Sequence, residues 1–434
     1  MLIQRAVLLN GGVVDIRVQA QITEVGDRLR PQRGEDVFDA AGGTVLPGLH
    51  DHHVHLYSAA AAEGSLQVGP PQVRDRDGLA AALAGAEVGG DGWIRAVGYH
   101  DSVAGPLDRA LLDALAPPVP VRVQHRSGLV WILNSAALAR IGLADHHDGQ
   151  LRSADPSWSL PLQRQDAGLA AVSRRLIGYG VTGVTDATPD LAADDIVELI
   201  ELQRRGVVRQ NLRFLSPGKR ILRDDDLDLE ELACWIADRH TASIPVAVHC
   251  VSAAQIVVTI AALKQAGIRR GDRIEHAAVT PREVVDDLAR LGVTVVTQPN
   301  FVAERGDQYL ADVPGGEHGE LWRVASLLSA SIPVALSTDM PFGGDDPWAA
   351  MRAAVRRTTP SGAALNTDEC VAPATALAMF LGRPERPAEP RCIRPGQPGD
   401  LCLLSVPPAV ALAELDAETV AATVIGGQLG YADD

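Results

Sequence analysis

From residue 47 to about 390 the chain alternates short apolar runs with Ala-, Leu- and Arg-rich stretches of helical period, and nothing else in it constrains the fold as strongly. Such alternation indicates a parallel α/β fold. The strand-like runs are VLPGLHDHHVHL, PVRVQHRS, VTGVTDAT, KRILR, PVAVHC, RIEHAAV, VTVVTQP and PVALSTDM, and their number suggests a (β/α)8 TIM barrel over residues 47–390. Helices such as LDLEELACWIADRHTA and PREVVDDLARLG lie between them. Residues 1–46 read instead as short strands, LIQRAVLL, VVDIRVQAQITEV and DVFDAAGGTVL, separated by Gly-Gly and charged turns. The tail from 391 returns to short strands and Gly/Pro turns. Both termini are expected to join into one small β-sandwich domain, 1–46 plus 391–434, the alternative being a separate C-terminal cap.

A chain of 434 residues with 46% hydrophobic content can bury a large core. A net charge of −16 and a pI near 5.2 argue against nucleic-acid or anionic-membrane partners. A small-molecule substrate is the expected partner, and a homo-oligomer is left open. Cys234, Cys250, Cys370, Cys392 and Cys402 are odd in number and lack C-x-x-C spacing, so neither a disulfide framework nor a cysteine zinc site is indicated. No apolar stretch approaches the ~20 residues of a membrane span, and MLIQRAVLLNGG lacks signal-peptide features. A cytoplasmic location is expected.

The chemistry concentrates first in PGLHDHHVH, residues 47–55. In extended backbone Asp51, His53 and His55 share one face while His50 and His52 share the other, so two H-x-H registers compete for a metal. Further ligands come from strand ends. His249 ends PVAVHC, His276 ends RIEH and Asp339 ends PVALSTD, each directly after an apolar run. Side chains at the C-terminal ends of barrel strands converge on one mouth. Only Lys219 and Lys264 among the 39 basic residues are lysines. A buried, neutral lysine amine can form a carbamate with carbon dioxide, and its two oxygens can bridge divalent ions. Lys219 sits awkwardly at the start of KRILR, unless the strand is NLRFLSPGK. It also reads as an exposed turn lysine.

These residues resemble the amidohydrolase superfamily, in which PGxxDxHxH, a strand-four lysine, two later strand-end histidines and a strand-eight aspartate build a mono- or binuclear metal site. The likeness spans nearly the whole chain. Within the superfamily WIRAVGYHDS, LDRALLDALAPPVPVRVQHRSGLVWILNSAAL and GVTGVTDA are similar to the N-substituted formamide deformylase-like (amidohydrolase 3) branch. Leu129 departs from that branch where histidine is usual, and Gln397 stands where lysine is usual in the returning C-terminal segment. The resemblance implies the His53/His55 register, with His53, His55 and Asp339 on the more buried metal, His249 and His276 on the more exposed one, and carbamylated Lys219 between them. Zinc is the metal expected, with manganese, iron and nickel also compatible. Asp51 is expected either to fix a ligating imidazole or to be an ordinary turn aspartate.

The reaction expected is hydrolysis of a carbon–nitrogen bond in an amide-type substrate by a metal-activated hydroxide, with Asp339 moving a proton to the leaving nitrogen. The metal and a neighbouring imidazole, His249 or His276, would stabilise the oxyanion. Ester, lactone or phosphoester hydrolysis, heterocycle deamination and non-catalytic metal binding are the alternatives. Substrate contacts are sought at Asp186, His125, Trp131, Arg305, His100 and Arg323. Residues 300–322 read as a long loop suited to a lid, and Gly343 to Pro347 as a helix start.

Overall fold

In a computed structural model of the protein, which describes residues 1–153, 156–158, 168–189 and 191–432, the histidine-rich run forms the strand Leu49–Val54 with every residue buried. It belongs to a parallel sheet of order Asn211–Phe214, Val181–Asp186, Leu49–Val54. A second parallel sheet has the order Lys219–Ile221, Ala247–Cys250, Arg273–His276, Thr294–Thr297, Val334–Leu336. Just beyond Val334–Leu336, the Asp339 amide donates to the His53 carbonyl at 3.0 Å and the His55 amide to the Met340 carbonyl at 2.8 Å. This is a mixed α/β arrangement consistent with a TIM-barrel-type domain.

Helices fill the connections for local reasons. Leu229–Thr241 begins at Asp228, whose side chain accepts the Glu231 amide, and Ala253–Ala266 begins at Ser252, which accepts the Gln255 amide. Each such cap contributes about 1 kcal/mol. Ile256, Ile260 and Leu263 recur at helical spacing and are buried, and the helix stops at Gly267 with φ 85°.

Two antiparallel-rich sheets come from the termini: Ile22–Gly26, Val13–Val18, Leu2–Val7, Val37–Asp39, and Gln428–Ala432, Val420–Ile425, Leu401–Leu404, Val45–Pro47. One apolar core serves both, with Ile3, Ile16 and Val18 from one and Val45, Leu403 and Val424 from the other. Backbone bonds tie the two together, from Ile22 to Gln397 and from Val7 to Gly43, both at 2.8 Å.

The chain divides into two compact units, Met1–His55 with Ser173–Asp434, and Leu56–Val172. The second unit has its own five-stranded sheet, Gln150–Arg152, Val130–Leu133, Val121–His125, Ile94–Tyr99, Leu66–Gln67. One core packs Val68, Leu79, Ile94, Leu112 and Val123; another packs Trp93, Trp131, Leu133, Leu138 and Trp158.

Two expectations are corrected here, and the choice between two readings of the Lys219 strand falls to the one that Lys219 opens. PVRVQHRS is not one of the parallel strands of the larger unit; it supplies Val121–His125 to the sheet of residues 56–172. NLRF and KRI are separate strands, with Lys219 opening the second. Residues 300–322 are not a loop: Asn300–Asp312 is an α-helix followed by the 3-10 helix Gly315–Glu320. Gly306 is buried in that helix, and a Cβ there would lie 2.5 Å from the Thr359 side chain, so only glycine fits without a shift. Asp346 does start a helix, accepting the Trp348 amide ahead of Pro347–Arg356. No helix among the described residues is long and apolar enough to cross a membrane.

Candidate metal centre

Parallel register decides which side chains of the second sheet can meet. Lys219, Ala247 and Arg273 are mutual partners, as are Ile221, His249 and Glu275. Partners in register project from the same face, so Lys219, His249, Arg273 and Glu275 share one. His276, next in sequence to Glu275, would point away in a regular strand. Its φ of 68° breaks the alternation, as does 59° at Asp339. Non-glycine residues in the left-handed region are uncommon and cluster at functional sites.

The result is a buried cluster. Nε2 of His53 lies 3.5 Å and Nε2 of His55 lies 3.3 Å from Oδ1 of Asp339. Nδ1 of His276 is 4.0 Å from the other Asp339 oxygen. The His276 ring centre is 4.8 Å from that of His53 and 4.4 Å from that of His249. One ligating atom from each of His53, His55 and Asp339 falls within a 4.8 Å group. Lys219 is 5% exposed and acts electrostatically on His53, His249 and His276.

The hydrogen bonds fix the imidazoles. His53 Nδ1 donates to Glu275, whose carboxylate is also held by Arg273, and Arg273 donates to the His52 carbonyl at 2.7 Å. His276 Nδ1 donates to Gln298 Oε1 at 2.8 Å, and the Gln298 amide nitrogen donates to Ser337 at 2.8 Å. In both rings the proton is on Nδ1, leaving Nε2 with a free lone pair. His55 Nδ1 pairs with Thr188 Oγ1 at 3.3 Å, and the Thr188 amide donates to Asp186 at 2.9 Å. Asp51 holds backbone: it accepts from Thr338 Oγ1 at 2.5 Å and from the amides of Thr338 and His53 at 3.2 Å.

Burial drives the electrostatics. It holds His53 and His276 well below the usual histidine range, and His249 at about 3, with Lys219 adding to the effect. All three are therefore neutral donors. Burial also lowers Lys219 to about 8, although Glu275 and Asp339 pull it upward. Asp51 is pushed up to about 7 by burial.

Three of these buried atoms have no hydrogen-bond partner: His53 Nε2, Asp339 Oδ1 and Lys219 Nζ. Buried polar atoms are seldom left unsatisfied. Two imidazoles and a carboxylate converging on one point form a donor set that a divalent cation fits. His50 and His52 lie outside it. His50 Nε2 pairs with Thr185 Oγ1 at 2.9 Å, and the His52 ring lies tilted by 36° with its centre 4.7 Å from that of His50.

The remaining candidates are placed separately. Asp186 is buried and acts through Thr188 on His55. Arg305 donates to the Phe342 carbonyl and lies 4.5 Å over the Phe301 ring. The Phe342 ring is 5.1 Å from that of His55. Arg323 donates to Ser326 at 3.5 Å. His125 and His100 belong to the unit of residues 56–172, with ring centres 5.8 Å apart. Trp131 is 7% exposed in that unit's tryptophan-rich core. Sequence reasoning missed Glu275, Gln298 and Thr188. For Glu275 a signal existed: an acid two residues after an arginine inside a buried strand needs a partner.

Comparison with known proteins identifies the family. The amidohydrolase family model matches residues 36–431. The chain is 25% identical to the N-substituted formamide deformylase of Arthrobacter pascens, over 98% of this chain and 95% of that protein. Its fold is similar to that of a metal-dependent hydrolase from Pyrococcus horikoshii, with TM-score 0.73 and 18% identity over 94% of this chain and 98% of that one. It is also similar to N-isopropylammelide isopropylaminohydrolase from Burkholderia multivorans, with TM-score 0.54 and 15% identity over 99% and 97% of the two chains. The chain belongs to the amidohydrolase family.

Proposed function

We propose that the protein hydrolyses a carbon–nitrogen bond of an amide-type small molecule, using a divalent metal held by His53, His55 and Asp339. Zinc suits the nitrogen and carboxylate donors. His249, His276 and a carbamate on Lys219 would hold a second ion. The observation that carries this reading is the convergence of His53 Nε2 and Asp339 Oδ1, buried and unpartnered, beside His55. The parallel strands, taken together, are read as a (β/α)8 barrel over 47–390, with residues 1–46 and 391–434 as a β-sandwich beside it.

When bound, the metal supplies an activated water at neutral pH and a counter-charge for the developing oxyanion. The chain's own groups do the rest. Asp339 accepts the proton of the attacking water at a carboxylate oxygen and delivers it to the leaving nitrogen, which departs as an amine. Glu275 and Gln298 hold the His53 and His276 rings through Nδ1, and the imidazole of His276 or His249 would help to stabilise the oxyanion. Lys219, lowered to about 8, has a neutral fraction at physiological pH whose lone pair can add to carbon dioxide with loss of one proton.

Metal-loaded Asp339→Asn is expected to lose most of its turnover on amide substrates, and with it most of the amine release. Wild-type turnover in that variant overturns the assignment. Elemental analysis of wild type beside Lys219→Ala tests the bridge, since unchanged metal content would remove it.

A further inference from the structure

Arg95 and Arg122 are register partners on neighbouring parallel strands of the 56–172 unit. Their side chains therefore leave the same face about 4.8 Å apart at the backbone. Arg122 is 6% exposed. The Arg95 guanidinium lies 4.8 Å from the Trp131 ring centre, and that of Arg122 lies 5.6 Å from Trp131 and 5.5 Å from Trp93.

An indole face attracts a guanidinium, but the attraction offsets only part of the cost of taking the cation out of water. Two like charges side by side add repulsion. In most folds a carboxylate supplies what is missing. Among the described residues none does so here: neither arginine forms a salt bridge or donates a hydrogen bond, and the Nε of each is buried without an acceptor. Asp91, the acid whose field reaches Arg122, is occupied by the Trp93 amide at 3.1 Å. Burial, with Arg122 beside it, lowers Arg95 to about 9. Packing alone does not call for this pair, since apolar side chains would fill the same volume against Trp131 without stranding charge.

We propose that Arg95 and Arg122, with the Trp93 and Trp131 rings beside them, form a binding site for an oxyanion, the carboxylate or phosphate group of a small molecule. Guanidinium forks match both groups in bidentate geometry, and indole walls exclude the water that would screen the contact. The site is built wholly within residues 56–172 and does not depend on the metal centre.

The test uses the full-length, metal-loaded protein. Tryptophan fluorescence and thermal unfolding are followed while sodium benzoate or inorganic phosphate is added, against sodium chloride at equal ionic strength. A saturable change in fluorescence with a rise in Tm is expected for at least one of the two anions, and the one that saturates identifies the source. Arg95→Met and Arg122→Met, which keep an apolar stem, are each expected to weaken that binding about tenfold or more. In anion-free buffer they should unfold no earlier than wild type. Should the methionine variants fail to fold, Arg122→Lys keeps the charge but loses the fork and is expected to bind several-fold more weakly. The proposal is overturned if neither anion saturates beyond chloride, or if the arginine variants bind as tightly as wild type, which would place the anion elsewhere.

Discussion

Glu275 and His53 form a hydrogen bond between side chains that are 0% and 1% exposed, and through it an acid on one strand sets the tautomer of a histidine on another. Arg273 holds the same carboxylate and is itself fixed to the His52 carbonyl. Glu275→Gln keeps the shape and removes the charge, so metal affinity is expected to fall about 10- to 100-fold. Competition with a chelator measures this, and wild-type affinity in the variant would show that the pair is structural only. Glu275→Ala strands Arg273 and should cost about 3–5 kcal/mol of stability in urea denaturation.

The metal-free protein should be acid-sensitive. His50, His52, His53 and His276 are held well below the usual range by burial, and His249 at about 3. In the unfolded chain each titrates near pH 6.5. Below that pH the unfolded state takes up protons that the folded state refuses, so each histidine removes up to about 1.4 kcal/mol per pH unit. Asp51 acts oppositely. Raised to about 7, it keeps a proton in the fold that the unfolded chain releases down to about pH 4, which adds stability on acidification. Several histidines outweigh one aspartate, so the urea midpoint should fall steadily between about pH 7 and 5. A flat profile would contradict the neutral assignments.

Thiol reactivity should divide by burial. Cys250 and Cys402 are buried, and burial pushes both thiols up to about 12, whereas Cys234 and Cys392 are exposed. The thiolate is the nucleophile. A thiol-specific disulfide reagent at pH 8 is expected to label Cys234 and Cys392 quickly, with Cys250 and Cys402 reacting only after denaturation. Mass spectrometry of the native adducts decides the matter.

Gly48 precedes the histidine strand, and a Cβ there would fall 2.2 Å from the Thr182 side chain on the neighbouring strand. Overpacking of this kind costs about 1–3 kcal/mol. Gly48→Ala should therefore lower Tm and metal occupancy together. Gly11, whose surroundings are open but whose φ is 86°, offers a comparison in which a stability loss should leave the metal untouched.

Much of this arrangement was legible because its signals are local. An apolar run ending in histidine or aspartate marks His249, His276 and Asp339 without reference to any other part of the chain. Glu275 was hidden because strand alternation places it opposite His276, and the positive φ that brings both to one side leaves no mark in RIEH. PVRVQHRS was recognised as a strand but assigned to the wrong sheet, since pairing partners are not a property of the segment itself. The helix Asn300–Asp312 lies in a stretch that reads as a long loop between two strand-like runs, and Gly306 lowers its helix propensity. Its close approach to Thr359 compensates and is visible only in three dimensions.

The hydrogen bond from the Asp339 amide to the His53 carbonyl joins positions almost 290 residues apart, a contact whose loop-closure entropy must be met before it forms. During synthesis the His53–His55 pair emerges early and waits for its carboxylate until nearly four-fifths of the chain exists. A nascent or truncated polypeptide thus carries two imidazoles without the charge that completes their site. If the proposed site is right, metal capture is a late event, and an ion retained against a chelator reports that the strand Val334–Leu336 has docked.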